Sequence, residues 1–474
     1  MRERHRVTVT LLLAVALCCA GAAGVRADEQ SPPAEIPFAA HETAGIVPET
    51  LSLERAIEIA IEYNPQLAAS EQQVRATEAL LTQAQSVLHP RLDATARRVT
   101  PVDLPAFSFQ SSDSTWETSL DLSQPLYTGG SLRRAVEAAL SLRRGSAGAY
   151  RSTGQQIAFA VRQSYYGVLT AKQAVVVAQE VVDSAEETLR VARLRYDAGV
   201  APQFDVLAAE ARRARVEQGL ISAKADRDVA WATLGTVLGV PLPVGTKLST
   251  PRPLTVEEAD LETLRREGLA NRPDLLAVKA DMAVARAQVA IARAARQPFI
   301  SANMNYTLRE QTVISGELFG QPGTDFVVSQ NSGAFALVAS WSLFNGGQVY
   351  GEIREAQARL KQAESNLQRF GQQIDLEVKT AYVRVTAAKA QVAAAQRELV
   401  QAEEADRIAT IRYQEGVGTS MEILDAEANL EGAKTRHNQA IFGFNLSIAR
   451  LDLALGRDWS APSPARQEVE APGD

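Results

Sequence analysis

The chain writes one line twice. RYDAGVAPQFDVLAAE runs from Arg195 to Glu210, and RYQEGVGTSMEILDAE from Arg412 to Glu427. Seven of the sixteen positions agree, each pair 217 residues apart. The same offset joins Gly129-Gly130 to Gly346-Gly347, Tyr165 to Tyr382, Lys172 to Lys389 and Gly239 to Gly456. Upstream, Pro65 and Pro90 match Pro273 and Pro298 at an offset of 208. The nine extra residues therefore fall between Pro298 and Gly346, which marks an exposed loop that tolerates insertion. A chain duplicated in this way is expected to fold as two copies of one supersecondary unit.

Most of that unit reads as helix. No proline occurs from Leu126 to Ala201 or from Gly323 to Ala461, and both gaps are rich in Ala, Glu, Gln, Arg and Leu. Val175, Ala178, Val182, Ala185, Leu189, Ala192 and Tyr196 step by three and four. So do Val392, Ala395, Leu399, Ala402, Asp406, Ala409 and Tyr413, with one polar break at Asp406. These are coiled-coil seams. A helix over about 131–197 would be roughly 100 Å long at about 1.5 Å per residue, too long for the core of a compact domain.

Two stretches change period. Ile300, Ala302, Met304, Tyr306 and Leu308 alternate with polar residues, and Phe335, Leu337, Ala339, Trp341 and Leu343 alternate with Ala336, Val338, Ser340 and Ser342. Trp116, Thr118, Leu120 and Leu122 do the same, and Leu92, Ala94 and Ala96 more weakly. Period two predicts strands of about ten residues, the length that crosses a bilayer when tilted. Each copy thus inserts one hairpin, with loops over 103–113 and 315–333. Four strands cannot close a barrel around water, and an open sheet cannot sit in lipid. The chain is therefore expected to pool strands with other copies of itself. A soluble coiled-coil rod carrying a four-stranded sheet is the competing reading.

The first residues are basic, an apolar run spans Val7 to Ala20, and Val25-Arg26-Ala27 follows. This predicts a secretory signal cleaved near Ala27, with a membrane anchor as the alternative. Both cysteines, Cys18 and Cys19, lie inside it, so the mature chain has no thiol chemistry unless one is lipidated. Removing residues 1–27 removes four arginines and one glutamate, leaving 45 basic and 55 acidic residues and a net charge of −10. That balance argues against a nucleic-acid partner. The expected organisation is a signal peptide (1–27), a flexible leader (28–48), repeat 1 (49–242), a linker (243–258), repeat 2 (259–459) and a disordered tail (460–474). Repeat 1 carries a hairpin at about 91–126 and a tip at about 197–204; repeat 2 carries them at about 299–344 and 414–421.

LSLERAIEIAIEYNP at 51–65, QPLYTGG at 124–130, WSLFNGG at 341–347 and the doubled line, in this order, resemble the TolC family of outer-membrane efflux proteins. The resemblance implies an α+β fold of mostly long α-helices. It implies a homotrimer whose protomers each give four strands to a twelve-stranded transmembrane β-barrel in outer-membrane lipid. A periplasmic coiled-coil barrel would continue it. It also implies a passive exit channel that docks a periplasmic adaptor (membrane fusion) protein and an inner-membrane transporter, for efflux or for type I protein secretion. Gly129, Gly130, Gly346 and Gly347 would form the strand-to-helix turns, and the doubled lines the far periplasmic turns.

Gly199 and Gly416 can end helices with φ > 0. Asp205 and Glu422 would sit in first turns, where a carboxylate meets free N–H groups, and Thr419 with Glu422 fits a capping box. The lines read either as good turns alone or as docking tips. In the docking reading Gly199, Val200, Leu207, Gly416, Val417 and Leu424 present a small apolar surface to the adaptor. Glu422 and Asp425, three apart, share one helix face. The resemblance makes them pore-gate acids and makes Tyr413 and Asp205 a gate network, although Gly418 stands where the family's best-known gate has arginine. Acid rings in a narrow bore favour cations. The mature chain's histidines, His41, His89 and His437, lie far apart, and no phosphate loop, nucleophile elbow or metal spacing occurs. Neither an enzyme, a metal site nor a cofactor is expected.

Overall fold

A computed structural model describes residues 47–99, 115–243, 245–249, 260–314 and 325–457. The signal, the leader through residue 46, most of the linker, the tail and residues 100–114 and 315–324 of the hairpin loops lie outside the described residues.

The elements run β1 (Thr50–Leu51), α1 (Leu53–Tyr63), α2 (Pro65–Ser86), β2 (Arg91–Val99), β3 (Thr115–Tyr127), α3 (Ser131–Asp197) and α4 (Gln203–Leu238). They continue as β4 (Lys247–Leu248), α5 (Leu261–Asn271), α6 (Asp274–Ala294), β5 (Phe299–Ile314), β6 (Asp325–Ser340), α7 (Gln348–Gln414) and α8 (Ser420–Leu455). Helices α3 and α7 have 67 residues each, and α4 and α8 have 36 each.

Each long helix starts and stops where its glycines allow. Gly129 and Gly130 both have positive φ, as do Gly346 and Gly347, so the chain reverses from strand into helix within two residues. A Cβ on Gly129 would lie 2.8 Å from the Gln297 Cβ and 2.9 Å from the Ala294 carbonyl. The first seam buries Val182 and Ala185 against Val216 and Leu220, and Leu189 and Ala192 against Ala209. Tyr196, at its end, stays exposed. In the second seam only Ala395 and Tyr413 are fully buried. Asp406 sits half-buried between them, as do Leu399, Ala402 and Ala409.

The larger sheet has the order β2-β3-β5-β6, all antiparallel. Its strands have 9, 13, 16 and 16 residues, longer on average than the alternation alone suggests. Strand β6 begins at Asp325, inside the stretch expected as loop, and ends at Ser340. Trp341 has left the sheet, and its Nε1 donates to the Arg296 carbonyl at 3.0 Å. The β3–β5 register shifts between Pro125 and Tyr127, as a proline without an N–H requires. One face is apolar, with Leu92, Leu120, Leu122, Met304, Tyr306, Phe335 and Leu337. The other is polar and internally bonded. Arg97 and Arg309 both reach Glu117, at 2.9 and 3.1 Å, and Asn305 and Ser119 donate to Asp121 at 2.6 and 2.9 Å.

A second, two-stranded parallel sheet pairs β1 with β4. Lys247 and Leu248 therefore lie within the stretch read as linker. The Tyr165 hydroxyl lies 2.8 Å from the Leu51 carbonyl and 2.7 Å from that of Ser249, so it fastens α3 to this sheet. A matching apolar cluster joins Leu264 of α5, Leu275 of α6, Ile374, Val378 and Val385 of α7 and Leu451 and Leu455 of α8. No described helix is long and apolar enough to cross a membrane.

Candidate functional site: the helical tips

Helices α3 and α4 form one hairpin, and α7 and α8 the other. Each first helix ends in a glycine with positive φ, Gly199 at +74° and Gly416 at +78°. Each following helix starts with an acid in its first turn, Asp205 or Glu422. The Thr419 hydroxyl accepts from the Glu422 N–H at 3.2 Å. Val200, Leu207 and Val417 are 66%, 55% and 68% exposed. Leu424 is half-buried and so contributes less to the tip surface. Phe204 (63%) and Met421 (57%) are equally uncovered and were not singled out from the sequence. They occupy the same column of the doubled line, and their shared size was the available signal.

The two hairpins are tied together by side chains that cross between them. Arg195 of α3 donates through Nη1 to the Tyr413 carbonyl, and its guanidinium lies 4.9 Å above the Tyr413 ring. The Ser420 hydroxyl donates to Asp205 at 2.9 Å. Higher up, Arg212 of α4 meets Glu431 of α8 at 2.9 Å, and Lys434 of α8 meets Glu180 of α3 at 2.7 Å. Tyr413 is 2% exposed and its hydroxyl has no hydrogen-bond partner among the described residues. Burial pushes this phenol up, the charge of Asp205 adds to the effect and Arg195 opposes it. Tyr413 and Asp205 are thus close enough to feel one another, yet the hydroxyl of Tyr413 is not what Asp205 binds.

Gly418 donates its backbone N–H to the Arg412 carbonyl at 2.8 Å. A Cβ there would lie 3.0 Å from the Tyr413 nitrogen and 3.1 Å from the Arg412 Cβ. An arginine at 418 would strain this turn. The guanidinium that engages Tyr413 comes instead from Arg195, on the opposite hairpin. The doubled line conceals this, because its other arginine, Arg412, turns back to Glu422 at 3.5 Å. Glu422 and Asp425 are both exposed, and Asp425 has no ion-pair partner among the described residues.

The sheet, with one apolar and one bonded polar face, passes through double-glycine turns into 67-residue helices. The profile of the family described as outer membrane efflux protein matches residues 56–240 and 264–457. The chain belongs to the outer membrane efflux protein family. Its relatives include the outer membrane efflux protein BepC of Brucella suis, 24% identical over 84% of this chain and 84% of that one. Another is the alkaline protease secretion protein AprF of Pseudomonas aeruginosa, 23% identical over 84% of this chain and 83% of its own length. Among solved structures, the outer-membrane channel OprN superposes with a TM-score of 0.73 at 22% identity, covering 86% of this chain and 90% of that one. Membership makes the protein a non-enzymatic outer-membrane channel with a large periplasmic portion, and it removes the soluble rod as a reading.

Proposed function

We propose that three copies of this chain form a passive exit duct for small molecules. Their sheets would close one twelve-stranded barrel, and their helices one periplasmic tunnel. The observation that carries this is the open sheet. Its outer strands β2 and β6 have one unpaired edge each, and backbone edges in lipid must be paired. Joining β6 of one copy to β2 of the next satisfies both edges. The apolar faces would then meet lipid, and the bonded polar faces would line water.

In this reading residues 49–242 and 259–459 are the two repeats, 1–27 is removed on export, and the tips face the inner membrane. The Gly199 and Gly416 turns, with Val200, Leu207, Val417 and Leu424, dock the helical hairpins of a periplasmic adaptor that bridges to an inner-membrane transporter. Glu422 and Asp425 ring the narrow entrance, and Tyr413 and Asp205 belong to the links that keep it closed. A second reading, the exit duct of a type I secretion system, is supported by AprF, which is named for protease secretion.

The test is made in a strain lacking the gene. Outer-membrane fractions from the complemented strain should show a heat-sensitive oligomer of three chains, and the purified protein should form discrete pores in a planar bilayer. Accumulation of small toxic compounds in the deletion strain supports efflux. Loss of a secreted protein with unchanged compound accumulation would replace efflux by secretion. A monomeric, pore-free protein would defeat both.

A further inference from the structure

Glu427 ends the second copy of the doubled line and has different polar partners from its counterpart. In the first hairpin Glu210 is paired with Arg193 at 2.7 Å, at the surface. In the second hairpin that arginine's position is Thr410, and the ion pair is lost. Glu427 is instead 7% exposed, and its carboxyl lies against α3, the first helix of the other hairpin. Its Oε1 accepts from Thr188 at 2.8 Å and from Ser184 at 3.0 Å. A second substitution between the copies lies beside it. Leu189, buried in the first seam, becomes Asp406 on α7, whose Oδ1 is buried without a hydrogen-bond partner among the described residues.

We propose that Glu427 is a positioning residue, the proton-binding element of a clasp that sets how tightly the second hairpin rests against the first. The proposal rests on the gated-duct reading given above. The groups facing the site are known from each packed element. From α3 come Ser184, Thr188 and Glu180, and Glu180 is held by Lys434. From α4 comes Arg212, which is engaged by Glu431. From α7 comes Asp406, and from α8 come Glu431, Lys434 and, one turn further, His437, whose Nδ1 is buried without a partner. Neither cation ion-pairs with Glu427 or Asp406, since each already has a carboxylate of its own.

The direction follows from burial. Desolvation pushes the Glu427 carboxyl up, the negative Asp406 adds to this, and the two hydroxyls and Arg212 oppose it. Burial pushes Asp406 up as well, against Lys434. Both groups therefore bind a proton more readily in the closed packing than in water. Closed packing is stabilised as pH falls through the range where they titrate, and that stabilisation is lost as pH rises above it. Proton uptake removes the buried charge from the seam and relieves its repulsion with Asp406. Each unit by which the closed-state pKa exceeds the open-state one changes the closed-to-open ratio about tenfold.

The test uses the full-length protein in detergent and in planar bilayers, titrated from acid to alkaline pH. Open probability should rise with pH in the wild type. E427Q should favour the closed channel and leave only the weaker pH dependence of Asp406, which E427Q/D406N should flatten. S184A/T188V removes two donors to the carboxylate, so it should shift the midpoint upward; a merely structural weakening would open the channel at every pH. Independently of conductance, E427Q should remove one titrating infrared carboxylic-acid component and E427Q/D406N a second, which separates both acids from His437. A flat wild-type profile, or a titrating band unchanged in E427Q, overturns the clasp. A titrating Glu427 band in a protein that forms no pores would uphold proton binding and defeat the duct.

Discussion

Arg195→Ala tests the claim that the tip is held shut from the first hairpin. Two interactions are lost. The charge-assisted hydrogen bond to the Tyr413 carbonyl belongs to a class that contributes about 1.5–3 kcal/mol. The guanidinium stacked at 4.9 Å adds about 0.5–1 kcal/mol where water has access. Arg195 is only half-buried, so the lower ends apply and the closed state should lose about 2 kcal/mol. At about 1.4 kcal/mol per tenfold, that is about a 30-fold shift in the closed-to-open ratio. Single-channel recording in a planar bilayer reads this as open probability. Arg195→Lys keeps the charge but loses the planar fork and should fall between. Tyr413→Phe is the critical control. The hydroxyl it removes has no partner, so its effect should stay within about twofold, the scale of substitutions that break nothing. If R195A opens no more than the wild type while the oligomer stays intact, or if Y413F opens as much as R195A, the assignment is wrong.

Asp425→Asn combined with Glu422→Gln should lower cation selectivity, read as a reversal potential moving toward zero in a salt gradient, with conductance changing little. Phe204→Asp and Met421→Asp place charge on the uncovered tip and should abolish crosslinking to the adaptor while the oligomer still forms. Gly129→Ala brings a Cβ to 2.8 Å from Gln297 and should lower the melting temperature more than Gly346→Ala, where nothing lies within 4 Å and only the positive φ is strained. Equal losses in a thermal-unfolding series would mean that backbone strain, not the close approach, governs the strand-to-helix turn.

The pattern of residues carried the long helices and the hairpins because both have strong periods. The double glycines, which carry the resemblance, proved to need positive φ. Strands β1 and β4 have two residues each, and no period exists over so short a run. Their pairing becomes evident only once the Tyr165 hydroxyl is seen between Leu51 and Ser249. Arg195 and Arg412 are one letter in the doubled line, yet one crosses to the other hairpin and one turns back. Sequence cannot distinguish them, because the difference lies in which hairpin each helix end faces. Glu427 left its signal just outside the doubled line, where Arg193, two residues before the first copy, is Thr410 before the second. What that change frees the carboxylate to touch is decided by the α3–α8 seam, a contact between the copies and not within either.

The matched hairpin lengths set a rule for how such a duct can change in length. With 67-residue and 36-residue helices in both halves, and with Arg195 of one tip on Tyr413 of the other, the two tips end at one level. Deleting seven residues from α3 and seven from α4 preserves the seam of that hairpin, yet lifts its tip by about 10 Å. Arg195 would then face the wrong turn of α7. Only the same excision made in both halves returns the rim to one plane. The distance this protein reaches is therefore quantised and held in duplicate, and a lineage that lengthens or shortens it must edit both copies together.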